Sequence, residues 1–239
     1  MSRLVLALQF YAADRDRAMR LAKLIADIEP KPREDVEVVF VARYDCDHDK
    51  ETISYVSQKF PVHWITTHTK WTGWPGGCTA VALDTLEWVA ANRKDAVGVL
   101  MIEPDCVPMG ADWLNQLLDE WNDARMLDKW IMGAWRDSGG PYGHLNGNCV
   151  LLPAFANLVR ARDIIGPDLA WDAAVAPYIK DHWYITGAIK NCFESRNATI
   201  QRMLTPDVGE FAPALVHGFK DDSAFAIAKE MCAPKEIQL

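Results

Sequence analysis

The sequence predicts an α/β fold, a single domain in which a mostly parallel central sheet is flanked by helices. Three observations carry that expectation. Short β-branched runs alternate with stretches of helical period through the first half of the chain. The 239 residues are 50% apolar and 24% charged, enough to bury a core without disulfide or metal staples. No stretch approaches the roughly 18 consecutive apolar residues that a membrane span needs.

The elements follow in order. Leu4 to Phe10 is a short apolar run, suited to a buried strand. After Asp14, a candidate cap, Leu21, Leu24, Ile25 and Ile28 recur at helical spacing until Pro30 stops the pattern. Residues 36–42 (VEVVFVA) form a second strand, followed by the polar stretch RYDCDHDKE. A third strand fits 62–67. The loop KWTGWPGGC then leads to a helix over 79–92, with Leu83, Leu86 and Ala90 on one face. Residues 97–102 (VGVLMI) make a fourth strand, and a turn at 108–110 precedes a helix near 112–123. From Trp130 the pattern is less regular: a strand over 130–135, a Gly-rich loop SGGPYGHLNGN, then strand and helix again. In parallel sheets, ligands bind beyond the carboxyl ends of the strands. That rule directs attention to residues 43–49, 70–78 and 103–106.

Composition narrows the function. The formal charge of −8, from 33 acidic and 25 basic residues, argues against sequence-blind nucleic-acid binding and against docking on anionic membrane. The six cysteines include no C-x-x-C pair and read as reduced thiols. The N-terminal stretch MSRLVLALQFYAADRDR lacks the length and cleavage site of a signal peptide, so a soluble cytoplasmic protein is expected. Ten Trp are many, and such flat side chains stack well on sugars and bases.

Two short motifs bear chemistry. Glu103-Pro104-Asp105 ends the VGVLMI strand. Residues i and i+2 of an extended chain point to one side, so both carboxylates can face one ligand. Paired hard oxygens suit Mg²⁺ or Mn²⁺, whereas the bland alternative is a strand-end turn with two solvated acids. Near the C-terminus, Val216-His217-Gly218-Phe219-Lys220 offers a borderline metal ligand and a point cation for phosphate. Its bland alternative is a surface turn.

With an acid-x-acid strand end and a late His-Gly-x-Lys segment on an α/β half, the chain resembles the GT-A glycosyltransferases. Glu103-Pro104-Asp105 stands where that family has its DxD motif, with Glu in place of the first Asp. The resemblance implies a Rossmann-like nucleotide-binding half over 1–108 and an acceptor-side half over 109–239. It further implies that Asp105 and His217 hold Mn²⁺ or Mg²⁺, that Glu103 lies beside them or meets the donor ribose or sugar through water, and that Lys220 meets the diphosphate. Tyr11 or Ala12 would lie under the nucleoside base. Asp45 and Asp47 would recognise base or ribose, unless Asp45 to Asp49 form a solvated or metal-binding loop. Lys70 and Gly76 belong to the loop that could approach a phosphate or sugar, with Trp71 or Trp74 stacking on a ring; a turn capping the next helix is the other reading. The segment His144 to Asn148 is expected as an acceptor-side loop. Asp172 resembles the carboxylate base that deprotonates an acceptor hydroxyl, and a helix N-cap fits it equally. Trp71, Trp74 and Trp171 become candidates for sugar contact.

The implied activity is metal-dependent transfer of a sugar from a nucleoside-diphosphate sugar to an acceptor hydroxyl on a glycan or other polymer, nucleic acid entering only as acceptor. A non-catalytic nucleotide-sugar or carbohydrate-binding protein of the same fold is one rival. A sugar nucleotidyltransferase is another, disfavoured because Tyr11-Ala12-Ala13-Asp14-Arg15 has no glycine where such enzymes carry a Gly-rich loop.

Overall fold

A computed structural model describes residues 3–137, 143–158, 161–192, 213–218, 225–226 and 228–229. β1 (Leu4–Phe10) is buried along its whole length, and a 3-10 turn leads from it into α1 (Arg15–Ile28). There follow β2 (Val36–Ala42), α2 (Lys50–Val56), β3 (Val62–Thr66), α3 (Gly76–Asn92), β4 (Gly98–Ile102) and β5 (Cys106–Pro108). Next come α4 (Trp113–Met126), β6 (Ile131–Arg136), β7 (His144–Leu151), the short α5 (Phe155–Leu158) and α6 (Ala161–Ile164), and α7 (Trp171–Ile179). β8 (Trp183–Ile185), β9 (Ile189–Asn191) and β10 (Leu215–His217) complete the set.

A seven-stranded sheet runs in the order β3-β2-β1-β4-β7-β6-β8. Its pairings are parallel except for the two that β7 makes, with β4 and β6. The sheet therefore draws strands from both halves of the chain and makes one domain. Both faces are covered, which is why β1 and β2 read as continuous apolar runs. Leu4, Leu6, Leu8 and Phe10 pack on one side with α1 and α4, while Val5 and Ala7 pack on the other with α3 and α7. A second sheet, β5-β10-β9, carries β10 antiparallel to β5 and parallel to β9.

Three expectations need correction. The Gly-rich segment read as a loop is, from His144 onward, the strand β7. Its polar side chains His144, Asn146 and Asn148 are buried and bonded inside the protein, so the strand lacks the apolar signature of its neighbours. Helix α2 was unforeseen because its sequence is polar. Asp49 caps it by accepting from Thr52 N at 2.9 Å, and only Thr52 and Val56 are buried. Trp171 is core: 5% exposed, it packs edge-on against Phe155 with centroids 6.3 Å apart. The five described cysteines are free thiols, and no described helix is long and apolar enough to cross a membrane.

Gly98 opens β4, the strand that leads into Glu103. A Cβ there would stand 2.6 Å from Trp121 Nε1, which donates to Val97 O at 2.9 Å from a fully buried ring. The indole has no room to retreat, so Gly98→Ala is expected to destabilise the fold by about 1–3 kcal/mol, measured by urea unfolding.

Candidate active site

β4 is apolar through Ile102, after which Glu103-Pro104-Asp105 turns the chain out of the main sheet. Pro104 has no N–H to continue a ladder, and the turn closes through Cys106 N donating to Glu103 O at 3.0 Å. The chain then enters β5, where Cys106 pairs with His217 of β10. Gly218 N donates to Asp105 O at 3.2 Å, on the far side of the same junction. This register sets His217 Nε2 3.2 Å from Glu103 Oε2 and 3.3 Å from Asp105 Oδ1. On the neighbouring strand, Asn191 Oδ1 lies 3.2 Å from His217 Nδ1 and, with Nδ1 protonated, accepts a hydrogen bond from it, which aims Nε2 at the two carboxylates.

The three ligand-type atoms lie within 4.8 Å of one another. Two carboxylate oxygens and one imidazole nitrogen form a donor set that suits Mn²⁺ or Mg²⁺, and the Asn191 contact is the outer support a ligating His needs. Glu103 is the half-exposed member, while Asp105 and His217 are largely covered. Burial disfavours a charged His217, but hydrogen bonds to Asp105 and then Glu103 outweigh it and hold the imidazole pKa at about 9.

The carboxylates open onto a cleft of about 360 Å³ beyond the carboxyl ends of β1, β2 and β4. The end of β1 and the turn into α1 contribute Gln9, Tyr11 and Asp14, the first turn of α1 contributes Arg17, and the end of β2 contributes Arg43. Gly73, Trp74, Gly77 and Cys78 line it where α3 begins. Trp74 is 77% exposed. Arg43 is held as a fork, with Nε donating to Asp45 Oδ1 at 2.8 Å and Nη2 to Asp45 Oδ2. Its guanidinium stands 5.5 Å from the Tyr11 ring and 5.7 Å from the Tyr44 ring. A Cβ on Gly77 would lie 3.8 Å from Arg43 Nη1, so the cation reaches across to the start of α3. The Arg43 bond holds the Asp45 carboxyl below its ordinary pKa, and the Cys78 thiol is pushed up to about 11 by burial.

The structure thus gathers Glu103, Asp105 and His217 in one cluster and puts Tyr11 on the wall of the same cleft. Asp45 stands behind Arg43 and does not line the cleft. Asp47 is exposed, its backbone oxygen accepting from Arg15 Nε at 3.4 Å. Lys70 is exposed and sits 5.9 Å over the Tyr44 ring. Gly76 is pressed under the 167 turn, where a Cβ would be 3.1 Å from Pro167 O; its neighbour Gly77 is the glycine that faces the cleft. Asp172 lies in the first turn of α7, whose N-cap is Ala170. Its carboxylate is buried, accepting from Gly147 N and Ala173 N at 2.9 Å each, with His144 Nε2 at 3.6 Å. Burial raises the Asp172 pKa and lowers that of His144. Lys220 lies outside the described residues. Sequence reasoning gave no individual role to Arg17, Arg43, Gln9 or Asn148, although Arg43 and Asn148 lie in the segments 43–49 and 144–148 that it singled out. Two of these had a signal: Gln9 is the polar residue of an apolar strand, and Arg43 is the first residue beyond β2.

No protein-family model and no curated protein matches this sequence. Among solved structures, the chain is similar to the glycosyltransferase GlyE of Streptococcus pneumoniae TIGR4, with 12% identity over 98% of this chain and 60% of that one and a TM-score of 0.58. It is similar to the bifunctional glycosyltransferase WbbM at 10% identity, over 98% of this chain and 50% of that one, with a TM-score of 0.60. For mouse xyloside xylosyltransferase 1 the values are 11%, 91%, 98% and 0.54. The chain therefore spans 60% and 50% of the lengths of the first two. At these identities the likeness is one of fold, and the fold is that of the GT-A-like glycosyltransferases.

His217 links this site to stability. Its folded-state pKa lies above the ordinary value of 6.5, so its contribution is complete below about pH 6.5 and is lost as pH rises through about 9. In chelator-treated protein, wild type should exceed His217→Gln by on the order of 1–3 kcal/mol in mildly acid buffer. Urea unfolding across the alkaline range should show that margin closing.

Proposed function

We propose that the chain is a metal-dependent glycosyltransferase that moves a sugar from a nucleoside-diphosphate sugar to an acceptor hydroxyl. The observation that carries this reading is the Glu103, Asp105 and His217 cluster, opening at the carboxyl end of β4 onto a cleft lined by aromatic rings and two arginines. Asp105 and His217 would hold Mn²⁺ or Mg²⁺, with Glu103 as the third, more open ligand. A cation there supplies charge neutralisation for the departing diphosphate. Arg43, fixed by Asp45, presents its guanidinium beside Tyr11, an arrangement suited to a phosphate next to a stacked base. Trp74, exposed on the lining of the same cleft, offers a flat surface to base or sugar. Lys220 would add a further cation, as its motif suggests. Asp172 supports β7 through Gly147 N and faces His144; to serve as the base for the acceptor hydroxyl it would have to exchange those contacts for the substrate. The cytoplasmic location expected from the sequence fits a soluble nucleotide-linked donor.

The test is a panel of nucleotide sugars, each with and without Mn²⁺, read by melting shift and by release of nucleoside diphosphate. A productive donor should raise the melting temperature, and chelation should abolish release. Asp105→Asn should lower turnover at least about a hundredfold and Arg43→Ala should raise the donor KM about tenfold. Turnover that survives both chelation and Asp105→Asn would overturn the metal role. Binding without transfer to any acceptor or water would favour a non-catalytic sugar-nucleotide binder.

A further inference from the structure

A glutamate in the first acidic position carries one more rotatable bond than an aspartate would, and half of its side chain is open to solvent. Left alone, such a side chain would sample several rotamers, each costly to freeze. The structure holds it from behind. Asn148, on β7, is 1% exposed. Its Oδ1 accepts from Glu103 N at 2.8 Å and from Cys106 Sγ at 3.0 Å, so one oxygen ties both ends of the Glu103-Pro104-Asp105 turn. Its Nδ2 donates to Asn146 Oδ1 at 2.9 Å and reaches Glu103 Oε2 at 3.4 Å. Asn146 Oδ1 in turn accepts from Asn148 N at 3.0 Å. The contacts fix which way the amide points, because a flipped amide would set N–H against Glu103 N–H and oxygen against Asn146 Oδ1 and Glu103 Oε2.

We infer that Asn148 is a positioning residue that sets the Glu103 carboxylate toward Asp105 and His217, and so makes the glutamate a competent third ligand for a divalent cation. The inference rests on the metal reading above. Pro104 has no N–H to tie the turn to β7, and beside the Cys106 N–Glu103 O and Gly218 N–Asp105 O bonds it is the Asn148 side chain that supplies the tie to that strand. Asn146 and Asn148 point to one side of β7, as period-two alternation requires. The intervening Gly147 faces the other way, where a Cβ would meet Trp171 Nε1 at 3.0 Å. The polar residues that hid β7 from pattern reading are thus the outer support of the acidic turn.

The test is Mn²⁺ affinity, measured by electron paramagnetic resonance on purified full-length protein with no donor present, for wild type, Asn148→Ala, Glu103→Ala and the double variant. Outer-shell removal typically weakens metal binding about 10- to 100-fold, and Asn148→Ala is expected in that range. If Asn148 acts through Glu103, the double variant should bind no more weakly than Glu103→Ala alone. Asn148→Ser, which keeps an oxygen for Glu103 N, serves if Asn148→Ala does not fold; it should show the same loss and the same coupling. In turnover assays the KM for Mn²⁺ should rise while kcat at saturating Mn²⁺ is largely retained. Unchanged affinity in the Asn148 variants, or losses that simply add, would overturn this assignment and leave the metal site standing. Wild-type protein that took up no Mn²⁺ would overturn the metal reading and this assignment together.

Discussion

The pairing of β10 with β5 is the contact on which the candidate site depends. β4 delivers Glu103 and Asp105 to the edge of the cleft, but His217 comes from the far end of the chain. Only the register Leu215 with Pro108, Val216 with Val107 and His217 with Cys106 brings it beside them. Strands of three residues have little stability alone. These are held by burial: Cys106, Val107, Leu215 and Val216 are all fully enclosed in the core that α1 and α4 share, each large side chain contributing about 1.5–3 kcal/mol. The apolar residues of β10 therefore anchor the strand, and the polar one at its end is carried into a place it would not choose. A buried imidazolium is tolerated there because two carboxylates meet it.

Much of this was legible in the sequence, for reasons that differ by element. β1 and β2 were read with their full limits because both faces are buried, which leaves a continuous apolar run. The acid pair at 103 and 105 was readable because a strand end followed by Pro is a distinctive junction. β7 was opaque because its inward positions are His144, Asn146 and Asn148, and only the fold shows that each has an internal partner. β5, β9 and β10 are too short to show a period. The Asp45 to Asp49 segment divides in an instructive way: Asp45 locks Arg43 and Asp49 caps α2, so two acids that look like ligands are spent on shaping the chain. Side-chain pairing of that kind depends on geometry that no spacing rule contains.

The acidic net charge also acquires a local form. Glu103 and Asp105 converge on one point, and a single protonated imidazole between them leaves one negative charge uncompensated. That imbalance is what raises the His217 pKa, and it is also what would draw a divalent cation, since replacing the proton with a doubly charged ion neutralises the cluster. A cation bound as proposed would compete with the proton for the same nitrogen, and would give the better charge balance.

The rest of the cleft sharpens the point. Its charged lining comprises Asp14, Glu103 and Asp105 against Arg17 and Arg43. Arg43 is already forked onto Asp45, so much of its field is cancelled from behind, and what it offers a ligand is directed N–H geometry more than net attraction. The lining is therefore acidic before anything binds. An anionic donor such as a diphosphate would be repelled at the β4 end unless that end were first neutralised. Tyr11 stands between the two signs, beside the Arg43 guanidinium and within the field of Asp14 and Glu103. In the proposed reading, the cation that would offset this charge belongs where His217 Nε2 faces Glu103 and Asp105, because these three groups converge within 4.8 Å of one another at the end of β4.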